Sequence, residues 1–199
     1  MIDLYFWPTP NCYKISILLE ELGLPYTVMP IHIGKGEQYT PEFEAINPNG
    51  KVPALVDHHG PDGEPITIFE SGAIMIYLAE KSGNFFPQVT ASRMAVLEWL
   101  MFQMGSVGPM LGQAHHFRKY AKTKIPYAVD RYTQEATRIY TVLDKRLSNT
   151  PFLAGEYSIA DMAVYPWPRP YRWQGQELSE FSNLQRWYSA VRERPAVQR

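Results

Sequence analysis

The chain changes character near residue 82, and this change limits the folds open to it. Before that point, short apolar runs with the β-favouring composition of strands alternate with helical patterns. After about residue 91, apolar side chains recur at the three- and four-residue spacing of amphipathic helices. We therefore predict an α/β domain over residues 1–82 and an all-α domain over residues 91–199. The segment 83–90, which contains Gly and Pro, is predicted to link them.

The elements predicted in the first domain follow the order β-α-β-α-β-β-α. The predicted strands cover residues 2–7, 26–33, 52–57 and 66–69. Pro30 cannot donate a ladder hydrogen bond and places the second strand at a sheet edge. The turn-rich segment 58–65 predicts a β-hairpin between the last two strands. Helix signals are Gly23 as a C-terminal stop, Thr40 before a short helix over residues 41–46, and Ser71 as the cap of the last helix.

Local signals in the second domain are fewer. Ser158 and Asp161 have the spacing of a capping box, in which the side chain of each residue accepts a hydrogen bond from the backbone N–H of the other. Prolines 166, 168 and 170 predict a broken helix. The sequence leaves open whether the aromatic residues of this segment, Tyr165, Trp167, Tyr171 and Trp173, line a pocket or pack the domain. His115 and His116 are adjacent, so they cannot both face one metal from a helix, and we expect them at the surface or lining a pocket.

Composition excludes several classes of function. Lys and Arg number 19 against 20 Asp and Glu, which leaves a net charge of -1 and no basic field for nucleic acid or an anionic membrane. No run approaches the ~18 apolar residues of a membrane span, and the first residues lack the pattern of a signal peptide. We therefore expect a cytoplasmic protein with no nucleic-acid or membrane partner.

Cysteine usage narrows the chemistry further. Cys12 is the only cysteine, so an internal disulfide, a Cys-x-x-Cys pair and a multi-cysteine zinc site are excluded within one chain. We expect no metal site. Any thiol-disulfide chemistry must use a second sulfur from outside the chain.

The loop after the first strand is the first candidate site. It brings Thr9, Asn11 and Cys12 to the N-terminus of the first helix, where backbone N–H groups and the helix dipole favour an anion such as a thiolate. The alternative interpretation is structural: Asn11 caps the helix and Cys12 fills space in the core.

Two further segments have features of a binding site. Pro53 stands at the start of an apolar strand; if the Val52–Pro53 bond is cis, the backbone of Val52 can pair with an extended ligand. Glu70 and Ser71 precede a helix, where a carboxylate and a hydroxyl can hold the ammonium and carboxylate of an amino-acid-like ligand. The alternative for this pair is an ordinary helix cap with a dipole-stabilising acid.

Taken together, these motifs resemble the glutathione transferase family. The resemblance lies in the segment 47–55 (Asn-Pro-Asn-Gly-Lys-Val-Pro-Ala-Leu), the Glu70–Ser71 pair before its helix and the Ser158–Asp161 capping box, and it covers essentially the whole chain. It implies an α/β thioredoxin-like N-terminal domain plus an all-α C-terminal domain, and a homodimer. Segments 5–11, 34–38, 108–113 and 126–128 look most like the Nu class, bacterial glutathione transferases noted for glutathione-dependent disulfide-bond reductase activity.

The resemblance also implies roles for individual residues, with glutathione as the cosubstrate. Thr9 and Asn11 would lie beside the glutathione sulfur as catalytic residues. The glutathione-binding residues would be Gln38 at the glycyl end, Val52 with a cis Pro53 at the cysteinyl backbone, Glu70 and Ser71 at the γ-glutamyl end, and Arg131. Cys12 departs from the class, which commonly has a small residue there, and this leaves open a mixed disulfide between protein and glutathione.

A mechanism follows from the single cysteine. The chain cannot form and reduce a disulfide of its own, so reduction of a substrate disulfide would use the thiols of bound glutathione. One possible arrangement has two glutathione molecules in one pocket. Asn11 cannot accept a proton at neutral pH, but its amide can donate a hydrogen bond to a thiolate. The hypothesis is electrostatic activation of the thiol without a general base. Cys12 itself remains open as nucleophile, bystander or oxidation target.

Three alternative functions stay open from the sequence. One is conjugation of glutathione to electrophiles, and another is a zeta-like isomerase, since that class also has a cysteine near the start of its first helix. The third is a non-catalytic binding module with the same fold, because fold does not determine function.

Overall fold

The computed structural model describes all residues from 1 to 199. The chain forms two compact units, Met1–Asn84 together with Arg199, and Phe85–Gln198. In the first unit the elements are β1 (Ile2–Phe6), α1 (Pro10–Leu22), β2 (Tyr26–Pro30), α2 (Pro41–Glu44), β3 (Ala54–Asp57), β4 (Ile66–Phe69) and α3 (Ser71–Ser82). The second unit contains α4 (Thr90–Phe102), α5 (Gly108–His115), α6 (Pro126–Leu147), α7 (Ile159–Val164), α8 (Ser182–Arg192) and α9 (Pro195–Gln198).

The four strands form one mixed sheet in the order β2-β1-β3-β4. β1 runs parallel to β2 and antiparallel to β3, and β3 runs antiparallel to β4 as the predicted hairpin. β2 lies at an edge, which confirms the prediction from Pro30. β2 ends at Pro30 rather than residue 33, because the chain turns there into a short 3-10 helix over Ile33–Lys35.

Local signals account for most helix ends in this unit. Gly23 adopts the left-handed conformation (φ 63°) that ends α1, and the Thr40 hydroxyl accepts a hydrogen bond from the Phe43 N–H at the start of α2. The predicted cap of α3 is wrong: Ser71 is the first helical residue and Glu70 precedes the helix without capping it through its side chain. The shift of one residue places the Glu70 backbone, rather than that of Ser71, at the bend into the helix.

The core of the first unit lies between the sheet and the packed helices α1 and α3. Leu4 and Leu55 are register partners on β1 and β3 and are fully buried, as are Ile15, Leu18 and Leu78 from the helices. Such burial contributes about 1.5–3 kcal/mol for each large apolar side chain. This packing places the N-termini of α1 and α3 on a rigid base.

The second unit is helical, with only two isolated β-bridges in residues 152–156. Along α6, the residues Ala136, Ile139, Tyr140, Leu143 and Leu147 are buried at helical spacing, as an amphipathic helix requires. Two π-helical turns, Gln103–Val107 and His116–Tyr120, follow α4 and α5. None of the helices in the chain is both long and apolar enough to span a membrane.

The capping box predicted at α7 is confirmed. Ser158 Oγ accepts from the Ala160 N–H at 3.3 Å, and Asp161 Oδ2 accepts from the Ser158 N–H at 3.1 Å. The other Asp161 oxygen accepts from the Leu153 N–H at 2.9 Å and the Trp187 indole N–H at 2.8 Å. The carboxylate thus joins the start of α7 to the preceding loop and to α8.

The proline-rich segment after α7 does break the helix, and a short 3-10 helix follows at Tyr171–Gln174. Tyr165 and Trp167 are buried and therefore pack the unit, whereas Trp173 is 42% exposed. The surface or pocket-lining expectation for His115 is wrong: its side chain is buried and accepts a hydrogen bond from Gln174 Nε2 at 2.9 Å. His116 is exposed as expected.

Candidate functional site

The N-terminus of α1 is built by Thr9 and Pro10. Thr9 is extended (φ -129°), and its hydroxyl oxygen accepts a hydrogen bond from the Cys12 N–H at 3.3 Å. Pro10 occupies the first helical position, where a missing N–H costs nothing. The interpretation of Asn11 as the cap is therefore wrong. The half-buried Asn11 side chain makes no hydrogen bond within the protein, so its amide can donate to a ligand at this helix end.

Cys12 lies behind this surface rather than on it. The side chain is completely buried, and burial raises the pKa of the thiol to about 11, although contacts with Thr9, the Trp7 backbone and Lys14 act in the opposite direction. At neutral pH the sulfur is therefore a protonated thiol with no access to solvent. Since the thiolate is the reactive form, the structure favours the space-filling interpretation of Cys12.

The segment before β3 presents backbone to the same end of the unit. The Val52–Pro53 peptide bond is cis, and β3 begins only at Ala54, so Val52 lies outside the strand ladder. Asn47 is buried and braces this segment: its amide nitrogen donates to the Lys51 carbonyl at 2.5 Å and its oxygen accepts from the Asn49 N–H at 2.9 Å. Sequence reasoning did not assign this bracing role to Asn47.

Glu70 is held in an unusual backbone conformation at the start of α3. Its φ is 69° and its ψ 116°, a region that non-glycine residues avoid at a cost of about 1–3 kcal/mol. The side chain is exposed, and Asn49 Nδ2 donates to it at 3.4 Å. Ser71 follows directly and is buried at the first position of α3. The bend thus holds an exposed carboxylate beside a helix N-terminus, where an ammonium and a carboxylate can be bound together.

Gln38 contributes a buried acceptor. It lies in the short 3-10 helix Glu37–Tyr39, is 9% exposed, and its Oε1 has no hydrogen-bond partner. An unpaired buried acceptor costs about 1–3 kcal/mol, so a group of this kind is typical of a site that receives a donor from a ligand.

Lys14 is the residue that sequence reasoning missed. Its side chain is 1% exposed, and its ammonium donates to Ser71 Oγ at 3.1 Å. Burial lowers the pKa of Lys14 to about 7, while the nearby Glu70 and Cys12 favour the charged form. The available signal was a lysine in the predicted first helix, directly before the apolar positions Ile15, Leu18 and Leu19.

Arg131 belongs to the second unit. It is exposed near the start of α6, where it lines a cavity of about 690 Å³ together with Tyr127, Asp130 and Glu135. The other predicted site residues all belong to the first unit. No group of three or more His, Cys, Asp or Glu side chains in the chain is arranged to hold a metal ion.

These features define what the first unit can do. The Asn11 amide and the α1 N-terminus can stabilise a thiolate, the free backbone edge at Val52 can pair with a peptide, and the Glu70–Ser71 bend can hold a zwitterionic amino-acid end. A small peptide carrying a thiol and an α-amino acid group fits these three elements.

Comparison with known proteins points the same way. Residues 9–81 match the family model for the glutathione S-transferase N-terminal domain, and residues 109–195 match the model for the C-terminal domain. The chain is 52% identical to the disulfide-bond oxidoreductase YfcG of Escherichia coli, over 99% of this chain and 93% of the relative.

Two solved structures are similar over nearly the whole chain. A glutathione transferase family member from Pseudomonas fluorescens with two glutathione molecules bound has a TM-score of 0.95 and 44% identity, over 99% of this chain and 90% of the other. A glutathione transferase from Pseudomonas putida with one glutathione disulfide bound per subunit has the same TM-score and identity, over 99% and 89% of the two chains. The predicted fold class is thereby confirmed.

Proposed function

Because this chain belongs to the glutathione S-transferase family, we propose that it is a glutathione-dependent disulfide-bond reductase. The observation that carries the proposal is the contrast between the Cys12 and Asn11 side chains at the start of α1. The one cysteine of the chain is buried as a neutral thiol, whereas the neighbouring Asn11 amide has no partner within the protein. The reacting thiols must then come from glutathione, and the protein activates them.

The proposed reaction uses two glutathione molecules. The thiolate of the first attacks one sulfur of the substrate disulfide, forming a mixed disulfide and releasing one substrate thiolate, which takes up a proton. The second glutathione thiolate attacks the glutathione sulfur of the mixed disulfide, which releases the other substrate thiolate and leaves glutathione disulfide. The two Pseudomonas structures support this stoichiometry, since one has two glutathione molecules bound and the other has one glutathione disulfide per subunit.

Thr9 and Asn11 are proposed to lower the pKa of the glutathione thiol. The Thr9 oxygen accepts from the Cys12 N–H, and the Thr9 side chain also contacts the Cys12 thiol. On binding of glutathione, the hydroxyl hydrogen would donate to the ligand sulfur instead of the Cys12 sulfur. The Asn11 amide supplies a second donor, and the helix N-terminus adds a partial positive charge. Neither side chain takes up a proton, so the activation is electrostatic.

The remaining contacts are proposed for binding. Gln38 receives the glycyl end, Val52 with the cis Pro53 pairs with the cysteinyl backbone, and Glu70 with Ser71 holds the γ-glutamyl end. Arg131 is proposed as a further glutathione contact. Support comes from the unpaired Gln38 oxygen, the position of Val52 outside the ladder and the strained Glu70 backbone.

The class of glutathione transferase, the oligomeric state and the cellular location are also proposals. The sequence motifs support the Nu class, and the homodimer is carried over from the family. We propose a cytoplasmic location as well. Met94 and Met101 on α4 are each about half exposed, at 49% and 50%, which supports a partner on that face. Light scattering coupled to size-exclusion chromatography measures the assembly directly.

The decisive experiment is glutathione-dependent reduction of a small symmetrical disulfide, coupled to glutathione reductase, by wild type, Asn11→Ala and Cys12→Ala. We expect Cys12→Ala to keep the rate and Asn11→Ala to lose about tenfold or more, as for removal of a donor to a developing anion. Loss of the rate in Cys12→Ala would instead establish a protein–glutathione mixed disulfide.

A parallel assay with an aryl halide tests the conjugation alternative. An inactive wild type in the disulfide assay that conjugates the aryl halide would replace the reductase proposal with a conjugating enzyme. Failure to bind glutathione at all would favour a non-catalytic module.

A further inference from the structure

Trp7 and His32 form an aromatic pair that the proposed reaction does not use. Their ring centroids lie 4.1 Å apart, and the ring planes meet at 37°. Both side chains are half-buried, and each residue follows the end of one of the two neighbouring parallel strands β1 and β2. The pair therefore connects the loop after β1, which carries Thr9, to the segment after β2, which carries Gln38.

The backbone around His32 is fixed by hydrogen bonds. The Ile31 N–H donates to the Phe6 carbonyl at 3.0 Å, one residue beyond the end of β2. The His32 N–H donates to the Glu37 carboxylate at 2.6 Å, and the His32 carbonyl accepts from the Lys35 N–H at 2.9 Å. His32 thus provides a firm support for the ring that stacks on it.

The imidazole ring itself is held by packing. Its Nδ1 is buried and makes no hydrogen bond, so this nitrogen does not fix the ring. The backbone of Gly34 comes close to the ring edge, since a Cβ at that position would lie 3.1 Å from His32 Cε1. Stacked aromatic rings attract one another beyond the area that they bury. The orientation of the His32 ring therefore depends on Trp7 and Gly34, and the ring in turn holds Trp7.

The Trp7 backbone fixes the position of Thr9. The Trp7 carbonyl accepts from the Thr9 N–H at 2.6 Å, which closes a three-residue turn around Pro8. The pyrrolidine ring of Pro8 limits the dihedral angles of this turn. The Cys12 thiol also contacts the Trp7 backbone. A shift of Trp7 would therefore move the Thr9 hydroxyl, which the proposed reaction places beside the glutathione sulfur.

We propose that His32 is a positioning residue for activation of the glutathione thiol, acting through Trp7. The His32 ring holds Trp7, and the Trp7 backbone holds Thr9 where its hydroxyl can donate to the thiolate. The inference rests on the proposed function, in which Thr9 contacts the glutathione sulfur. It gives His32 an effect on the rate of disulfide reduction without a part in holding glutathione.

The first test compares His32→Ala with His32→Phe in the coupled disulfide assay. His32→Ala removes the stacking ring and should lower kcat about tenfold, because small misplacements of a group at a reacting centre are costly. KM for glutathione should stay near wild type. His32→Phe keeps a flat ring on Trp7 and should restore most of kcat. A His32→Phe variant as slow as His32→Ala would overturn the inference, since stacking would then not be what matters.

Two further measurements separate positioning from a general loss of structure. Isothermal titration calorimetry with S-methylglutathione, whose sulfur cannot ionise, should give nearly the wild-type Kd for His32→Ala. The ultraviolet absorbance of protein-bound glutathione thiolate, followed against pH, should give a higher thiol pKa in His32→Ala, because a donor to the thiolate is misplaced. In a Trp7→Ala background, adding His32→Ala should have little further effect on kcat. Independent, additive losses would contradict action through Trp7.

His58→Ala is the matched control. His58 is an exposed histidine of the same unit, and it pairs with the Asp3 carboxylate at 2.8 Å rather than with an aromatic ring. Its removal also deletes one imidazole, but it should leave kcat and the pKa of the bound thiol at their wild-type values.

The outcomes are distinct. Equal kcat and equal thiol pKa in His32→Ala and wild type would overturn the inference while leaving the proposed function intact. Wild-type protein that reduces no disulfide would contradict the proposed function itself. If His32→Ala does not fold, His32→Leu decides: it fills the space without a flat ring, so its kcat should be well below that of His32→Phe. Equal kcat in these two variants overturns the role of the His32 ring.

Discussion

The backbone N–H of Cys12 donates to the hydroxyl oxygen of Thr9, 3.3 Å away, and this bond relates two functions of the α1 N-terminus. It satisfies one of the free N–H groups of the helix. It also holds the Thr9 side chain at the helix end that carries Asn11, while the Cys12 side chain is fully buried. The residue that caps the helix is thus one of the two that are proposed to contact the glutathione thiol.

Removal of the Thr9 hydroxyl should affect stability and activity together. We expect Thr9→Ala to lower the free energy of unfolding by about 1 kcal/mol and the Tm by about 2–4 °C. Disulfide reduction should slow as well, because a donor to the thiolate is lost. Thr9→Ser keeps the hydroxyl and should retain most of both. Chemical denaturation and the coupled reductase assay make the comparison; equal stability in Thr9→Ala would contradict the assignment of Thr9 as the cap.

The burial of Cys12 predicts an unreactive thiol. With its pKa raised to about 11 and no exposed surface, Cys12 should resist alkylation by iodoacetamide in native protein at mildly alkaline pH and react on unfolding. Mass spectrometry of the native and urea-unfolded protein gives the extent of modification. Rapid native alkylation, or a glutathione adduct on Cys12 after turnover, would restore the mixed-disulfide mechanism.

His115 predicts sensitivity to acid. Gln174 donates to His115 Nε2, which requires a neutral ring, and burial, aided by Lys119, lowers the pKa of His115 from 6.5 to about 4. Between these values the unfolded chain binds more protons than the folded one, so His115 contributes stability above pH 6.5 that is lost as the pH falls towards 4.

The check is urea denaturation across that pH range. His115→Gln cannot titrate, so its stability should fall less steeply with acid than that of wild type. His116→Gln, which alters the exposed neighbour, should retain the wild-type slope. Parallel slopes for wild type and His115→Gln would show that this histidine does not carry the acid sensitivity.

The capping box of α7 predicts graded losses of stability. Ser158→Ala should cost about 1 kcal/mol. Asp161→Ala should cost about 3 kcal/mol or more, because it leaves the buried Trp187 indole and two backbone N–H groups without an acceptor. Ser182→Ala is the control, since Ser182 is exposed at the start of α8 and caps nothing through its side chain; we expect a change within about 0.5 kcal/mol. An Asp161→Ala variant no less stable than Ser158→Ala would contradict this account.

Much of the fold could be predicted because its signals are local. Gly23 ends α1, Thr40 begins α2 and the Ser158–Asp161 pair begins α7 through contacts within one helical turn. Pro30 marks an edge strand because a missing donor excludes it from the centre of a sheet. The one-residue error at Ser71 arose because a serine before an apolar run resembles a cap, whereas the strained Glu70 backbone makes the bend.

Local pattern therefore specifies the order of strands and helices, the turns between them and the residue types offered at each helix end. Tertiary packing decides which of those residues can react. The separation of Lys14 from Ser71 along the chain hides their contact, and the burial of Cys12 and His115 depends on what the rest of each unit places over them. Because a pKa follows burial and neighbouring charges, the chemistry of these side chains becomes defined only when distant segments pack together.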